Sequence, residues 1–133
     1  MDSVPSSLTK RCLIVGMDAH FYVSVGHALV IAPSLIYIGL AREKLPPSAF
    51  AAIGAVGIGI FFYHAYKFYG RADYASGWVN LIHVLLVAPL LMIIGYYGQQ
   101  TSRRFFEMLL MLGFAALGYH GLYVVKTLTS QAE

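Results

Sequence analysis

The sequence predicts an all-α integral membrane protein: a four-helix bundle built by tandem duplication of a two-helix hairpin, with a pseudo-twofold axis along the membrane normal. Three observations predict it. First, 59% of the 133 residues are apolar and 11% are charged, with a mean hydropathy of +0.68, outside the range of water-soluble domains. Second, four apolar runs follow one another, residues 21–41, 49–66, 78–97 and 105–125, each close to the roughly 20 residues that cross a hydrocarbon core of about 30 Å. Third, the chain repeats itself at a fixed offset of 56 residues. None of the runs alternates apolar and polar residues with period two, so they read as helices and not as strands of a barrel.

Residues 1–11 are polar and basic, and the apolar stretch behind them imitates a secretory signal. It lacks a small-x-small cleavage site, and His27 and Pro33 interrupt it, so it reads as a retained first span with a short interfacial lead over 12–20. The first run ends in the polar connection 42–48, which carries the Pro46-Pro47 turn, and the third ends in the connection 98–104. Connections this short impose antiparallel hairpins. The fourth run carries only Glu107, near its start. Two spans per unit return the chain to the side it left, so both termini and the middle loop share one face. That face carries Lys10, Arg11, Lys67, Arg71 and Lys126, against Arg42, Lys44, Arg103 and Arg104 on the other. The positive-inside rule therefore places the termini in the cytoplasm by a small margin. Tyr63, Tyr66, Tyr69, Trp78 and Tyr123 mark one interface, and Tyr37, Tyr96 and Tyr97 the other, as an aromatic belt does.

The net charge of +3 comes from residues between the apolar runs, where they anchor headgroups of the lipid bilayer; nucleic acid is not the expected partner. A single cysteine, Cys12, excludes an internal disulfide and a CxxC pair, and is expected to pack.

The repeat is carried by residues that do not exchange freely in apolar helices. At one ungapped offset His27 lies over His83, Pro33 over Pro89, Gly39 over Gly95, Phe50 over Phe106, Gly57 over Gly113, and Tyr63-His64 over Tyr119-His120. Repeat one covers about 21–69 and repeat two about 77–125, within a single membrane domain of residues 1–133.

His27 and His83 lie near the starts of spans one and three, and His64 and His120 near the ends of spans two and four. Antiparallel packing then brings all four to a similar depth, roughly 7 to 10 Å inside the interface at about 1.5 Å of rise per residue. Ionisable residues inside a span are costly and mark function. Ser24 and Asn80 stand three residues before the first histidine of each repeat, and Tyr63 and Tyr119 directly before the second. Such neighbours fix the tautomer of an imidazole. Gly57 and Gly113, two turns before His64 and His120, let another backbone or a flat ligand approach closely. Pro33 and Pro89 deprive the carbonyls of Leu29 and Leu85 of their donors, which predicts a kink with an exposed carbonyl.

Three classes of function fit these residues. A proton or cation pathway leads, since imidazole exchanges protons near neutral pH through either nitrogen, with Asp18, His20, Lys67 and Asp73 placed to extend it into water. The second class is a transition metal or haem ligated by His27, His64, His83 and His120. The third is a structural or assembly subunit, as a homo-oligomer or within a larger membrane complex. No potassium-filter motif is present, and an enzyme is the least supported class, because the sequence has no phosphate-loop, GxSxG or histidine-box motif.

Overall fold

A computed structural model of the protein describes residues 19–70 and 74–130. Among the described residues every regular element is helical, and four helices are long and apolar enough to cross a membrane. They are α1 (Ala19–Lys44), α2 (Pro47–Gly70), α3 (Gly77–Gln100) and α4 (Arg103–Ser130). The protein is thus an integral, multi-pass membrane protein. Lys10, Arg11, Cys12, Asp18, Arg71 and Asp73 lie outside the described residues.

α1 and α3 each contain one widened turn. At His27–Ile31 and again at His83–Val87 the helix is π-helical, with the N–H of Ala32 bonded to the His27 carbonyl and that of Ala88 to the His83 carbonyl, five residues back. Both turns end just before a proline, Pro33 or Pro89. Proline has no N–H, and its ring clashes with the carbonyl four residues earlier. One extra residue in the preceding turn accommodates that clash. At the site of the expected kink, Leu29 and Leu85 each lie within a π turn that begins at the histidine.

α1 and α3 also end alike. Arg42 and Gly98 have positive φ, 52° and 55°, and each opens a 3-10 turn, Arg42–Lys44 and Gly98–Gln100. The turns close through Leu45 N–H to Arg42 O at 3.2 Å and Thr101 N–H to Gly98 O at 3.1 Å. Thr101 is buried, and its hydroxyl donates to the carbonyls of Gly98 (2.7 Å) and Ile94 (3.3 Å), which covers acceptors at the end of α3.

The described chain divides into two compact units, one formed by residues 19–34 and 113–130, the other by Leu35–Leu112. The larger unit is built on Leu35, Leu45, Phe50, Ile53, Leu90, Leu91, Ile94, Phe106 and Leu109. Phe50 and Phe106 meet edge to face, 6.5 Å between centroids. Glycines set the helix spacing. A Cβ at Gly57 would stand 3.0 Å from Leu91 Cβ and Met92 N and 3.1 Å from Ala88 O, and one at Gly95 would stand 2.9 Å from Phe50 O. One at Gly39 would stand 2.9 Å from Leu110 Cβ and 3.0 Å from Phe106 O. These contacts run in opposite directions along α2 and α3, so the two are antiparallel.

In the smaller unit Phe21, Ser24, Ala28 and Ala32 form the buried stripe of α1, spaced three and four residues apart as one helix face requires. Its contacts with α4 run from His20–Tyr123 to His27–His120, again antiparallel. Away from these faces the spans are apolar and uncovered: Leu29 is 72% exposed and Leu85 is 67% exposed. Hydrocarbon is the only solvent that suits such a surface, and lipid is its partner.

Candidate functional site

The four histidines meet as two pairs, each inside one unit. In the larger unit His64 of α2 stacks on His83 of α3, with centroids 4.1 Å apart and planes at 15°. In the smaller unit His27 of α1 lies against His120 of α4 at 4.6 Å, tilted by 31°. Each pair therefore joins a histidine near the start of one span to a histidine near the end of another, His83 with His64 and His27 with His120.

Each ring is oriented through Nδ1. His27 Nδ1 is 2.8 Å from Val23 O, and His83 Nδ1 is 2.7 Å from Val79 O. A carbonyl only accepts, so Nδ1 carries the hydrogen in both and Nε2 is the lone-pair nitrogen of the neutral ring. His64 Nδ1 donates to Asn80 Oδ1 at 2.8 Å. His120 Nδ1 lies 3.2 Å from Ser24 Oγ, where the hydroxyl can donate or accept. Ser24 and Asn80, three residues before His27 and His83, are thus bonded to the histidine across the helix pair. His27 and His83 bond back to the carbonyl four residues earlier. Ser24 is fully buried and Asn80 is 5% exposed, so both polar groups sit where an unmet hydrogen bond would be costly.

The tyrosines flank the pairs. Tyr63 and Tyr119 are more than half exposed, and each presents its ring edge-on to the histidine that follows it, 5.0 Å between centroids. Lys67 Nζ lies 5.3 Å over the Tyr63 ring, a cation–π contact one turn beyond it. Gly57 and Gly113 are both buried. At Gly57 the space is occupied by the α3 backbone at Ala88 and Met92, which leaves no room there for a flat ligand.

His20 belongs to the site. Its Nδ1 lies 3.5 Å from Ser24 Oγ, and its ring meets the Tyr123 ring edge at 4.4 Å. The spacing His20-x3-Ser24-x2-His27 places all three on one stripe of α1, a signal already present in the sequence. No protein family, curated protein or solved structure matches this chain.

Among the described residues no three His, Cys, Asp or Glu side chains converge as a metal-binding group. The stacked rings at 4.1 Å also leave no room for a porphyrin plane between them. A groove of about 550 Å³ in the larger unit, between Gly54, Ile58, Pro89, Met92 and Tyr96, is apolar and contains neither histidine of that unit. Chemically, the two sites are pairs of imidazoles set in hydrogen bonds inside apolar helices. Such pairs are suited to exchange a proton.

Proposed function

We propose that this membrane protein carries protons along its histidines, each pair accepting one proton and passing it on. The observation that carries the reading is imidazole against imidazole in both units, at 4.1 and 4.6 Å, with ring nitrogens held by a hydroxyl, a carboxamide and two backbone carbonyls. Imidazole takes a proton at one nitrogen and releases it from the other. Two imidazolium charges about 4 Å apart repel by about 4 kcal/mol at an effective dielectric near 20. A stacked pair therefore shares one added proton, which favours transfer over storage.

The reading includes the duplication. It is supported by the recurrence, 56 residues apart, of the π turn, the Nδ1 bond to a valine carbonyl and the positive-φ residue that ends the helix. Phe50 also meets Phe106, its own counterpart, as residues near a twofold axis do. In this reading repeats of about 21–69 and 77–125 form one bundle with its axis along the membrane normal, and both termini face the cytoplasm.

The test is proton flux into liposomes that carry the purified protein and an entrapped pH-sensitive dye. The wild type should acidify the lumen under a pH gradient, and His64→Ala and His120→Ala should each abolish most of that flux. Wild-type flux equal to that of empty liposomes refutes the proposal.

One observation favours a second reading, in which the histidines ligate a transition metal through Nε2. His27 and His83 hold the Nδ1–H tautomer on a carbonyl, the arrangement that orients metal-bound histidines. Elemental analysis of the purified protein detects a bound metal.

A further inference from the structure

We infer that the two histidine pairs are not equivalent: the pair holding His120 exchanges its proton with water through Ser24 and His20, whereas the pair holding His64 is held by Asn80 in one protonation pattern. The inference rests on the proton-carrying reading and assigns the side chain that connects it to water.

The difference lies in one pair of matched positions. Position 24 is serine and position 80 is asparagine, and each bonds the second histidine of its site, Ser24 Oγ to His120 Nδ1 at 3.2 Å and Asn80 Oδ1 to His64 Nδ1 at 2.8 Å. A hydroxyl both accepts and donates, so it hands on one proton as it receives another. A carboxamide oxygen only accepts, and neutral amides do not release protons near pH 7. Asn80 therefore holds the His64 Nδ1–H without relaying it.

On its other side Ser24 reaches a third imidazole. His20 Nδ1 lies 3.5 Å from Ser24 Oγ, at the long end of hydrogen bonding, and His20 is exposed one residue from the start of α1. The transfer balances atom by atom. His20 takes a proton from hydronium on Nε2, releasing water, and gives its Nδ1–H to Ser24 Oγ, while the Ser24 hydroxyl hydrogen passes to the Nδ1 lone pair of His120 in its Nε2–H tautomer. His20 and Ser24 end with as many protons as they began, and the positive charge has moved to His120. The His20 ring also packs against the Tyr123 ring of α4, 4.4 Å between centroids with the planes at 69°. The other titratable side chains of this unit among the described residues are Tyr22 and His27 on α1 and Tyr119 and Lys126 on α4. None of them takes part in the bonds that link His20 to His120 through Ser24.

The experiment is ¹⁵N NMR of histidine-labelled protein in lipid bilayers, reading the exchange of each ring N–H with water at neutral pH. The His120 Nδ1–H should exchange about tenfold faster than the His64 Nδ1–H, the factor that about 1.4 kcal/mol of barrier produces. Ser24→Asn and His20→Phe should each slow His120 to the rate of His64, and Ser24→Thr, which keeps the hydroxyl, should preserve the wild-type rate. Equal rates for His120 and His64 in the wild type overturn the inference, as does a Ser24→Asn protein, folded by its backbone spectrum, in which His120 still exchanges fast. The measurement uses no gradient. Fast His120 exchange without liposome flux would refute translocation alone, and flux with equal exchange rates would refute this inference alone.

Discussion

Gly57→Ala, set beside Gly59→Ala on the same helix, separates the cost of moving α3 from every other effect of adding a methyl group. At Gly57 the new Cβ would stand 3.0 Å from Leu91 Cβ and Met92 N and 3.1 Å from Ala88 O. Two of these are backbone atoms and the third is fixed to the backbone, so none can swing away. α3 must retreat by several tenths of an ångström, and overpacking of this kind costs about 1 to 3 kcal/mol. At Gly59 nothing lies within 4 Å, so the methyl group meets open space. Both substitutions gain the same helix propensity, about 1 kcal/mol in favour of alanine. That gain cancels in the difference. Gly57→Ala should therefore be less stable than Gly59→Ala by about 1 to 3 kcal/mol, read from reversible unfolding in mixed micelles. Because His64 lies two turns beyond Gly57 on α2 and stacks on α3, the displaced helix should also lower flux in Gly57→Ala and leave it unchanged in Gly59→Ala. Equal stability for the two variants would refute the close approach of α2 and α3 on which the His64–His83 stack depends.

Two further outcomes test separate parts of the structure. Arg42→Gly should stabilise the protein by about 1 to 2 kcal/mol, because Arg42 occupies the left-handed region at φ 52°, where its counterpart is Gly98, and its buried Nε makes no hydrogen bond among the described residues; thermal unfolding in detergent reads the change. A double-mutant cycle of His64→Ala with Asn80→Ala should give a coupling of about 0.6 kcal/mol and at most about 1.7 kcal/mol, the range of hydrogen bonds between membrane helices, and His64 with Gln99, at the far end of α3, should be additive.

The sequence disclosed the four spans because a charge-free run of spanning length has one economical conformation in lipid. Each helix extends a few residues past its apolar run, as α4 does from residue 105 back to Arg103, where Arg103 and Glu107 pair one turn apart at 2.6 Å. The polar flanks keep helical hydrogen bonds that hydropathy does not count. What hydropathy could not disclose was the π turn. The loss of a donor at Pro33 and Pro89 is visible in the sequence, but whether the helix kinks or takes in one more residue depends on packing around His27 and His83.

The site was legible as a set of residues and not as a set of bonds. Spacing placed Ser24 on the face of His27, yet its short side chain lies in the buried seam and meets His120 across it, while the longer His27 reaches the Val23 carbonyl. Which histidine meets which is a property of helix packing, and spacing along the chain does not give it. His20 was expected to extend the pathway into water, and helix packing gives it Ser24 and Tyr123 as partners.

The most direct measurement of the paired imidazoles is two-dimensional ¹⁵N and ¹³C solid-state NMR of histidine-labelled protein in lipid bilayers. Ring-to-ring cross-peaks should link His27 with His120 and His64 with His83, and the neutral His27 and His83 rings should show the Nδ1–H tautomer set by Val23 and Val79. Absence of either cross-peak, or an Nε2–H tautomer at His27 and His83, would contradict the account.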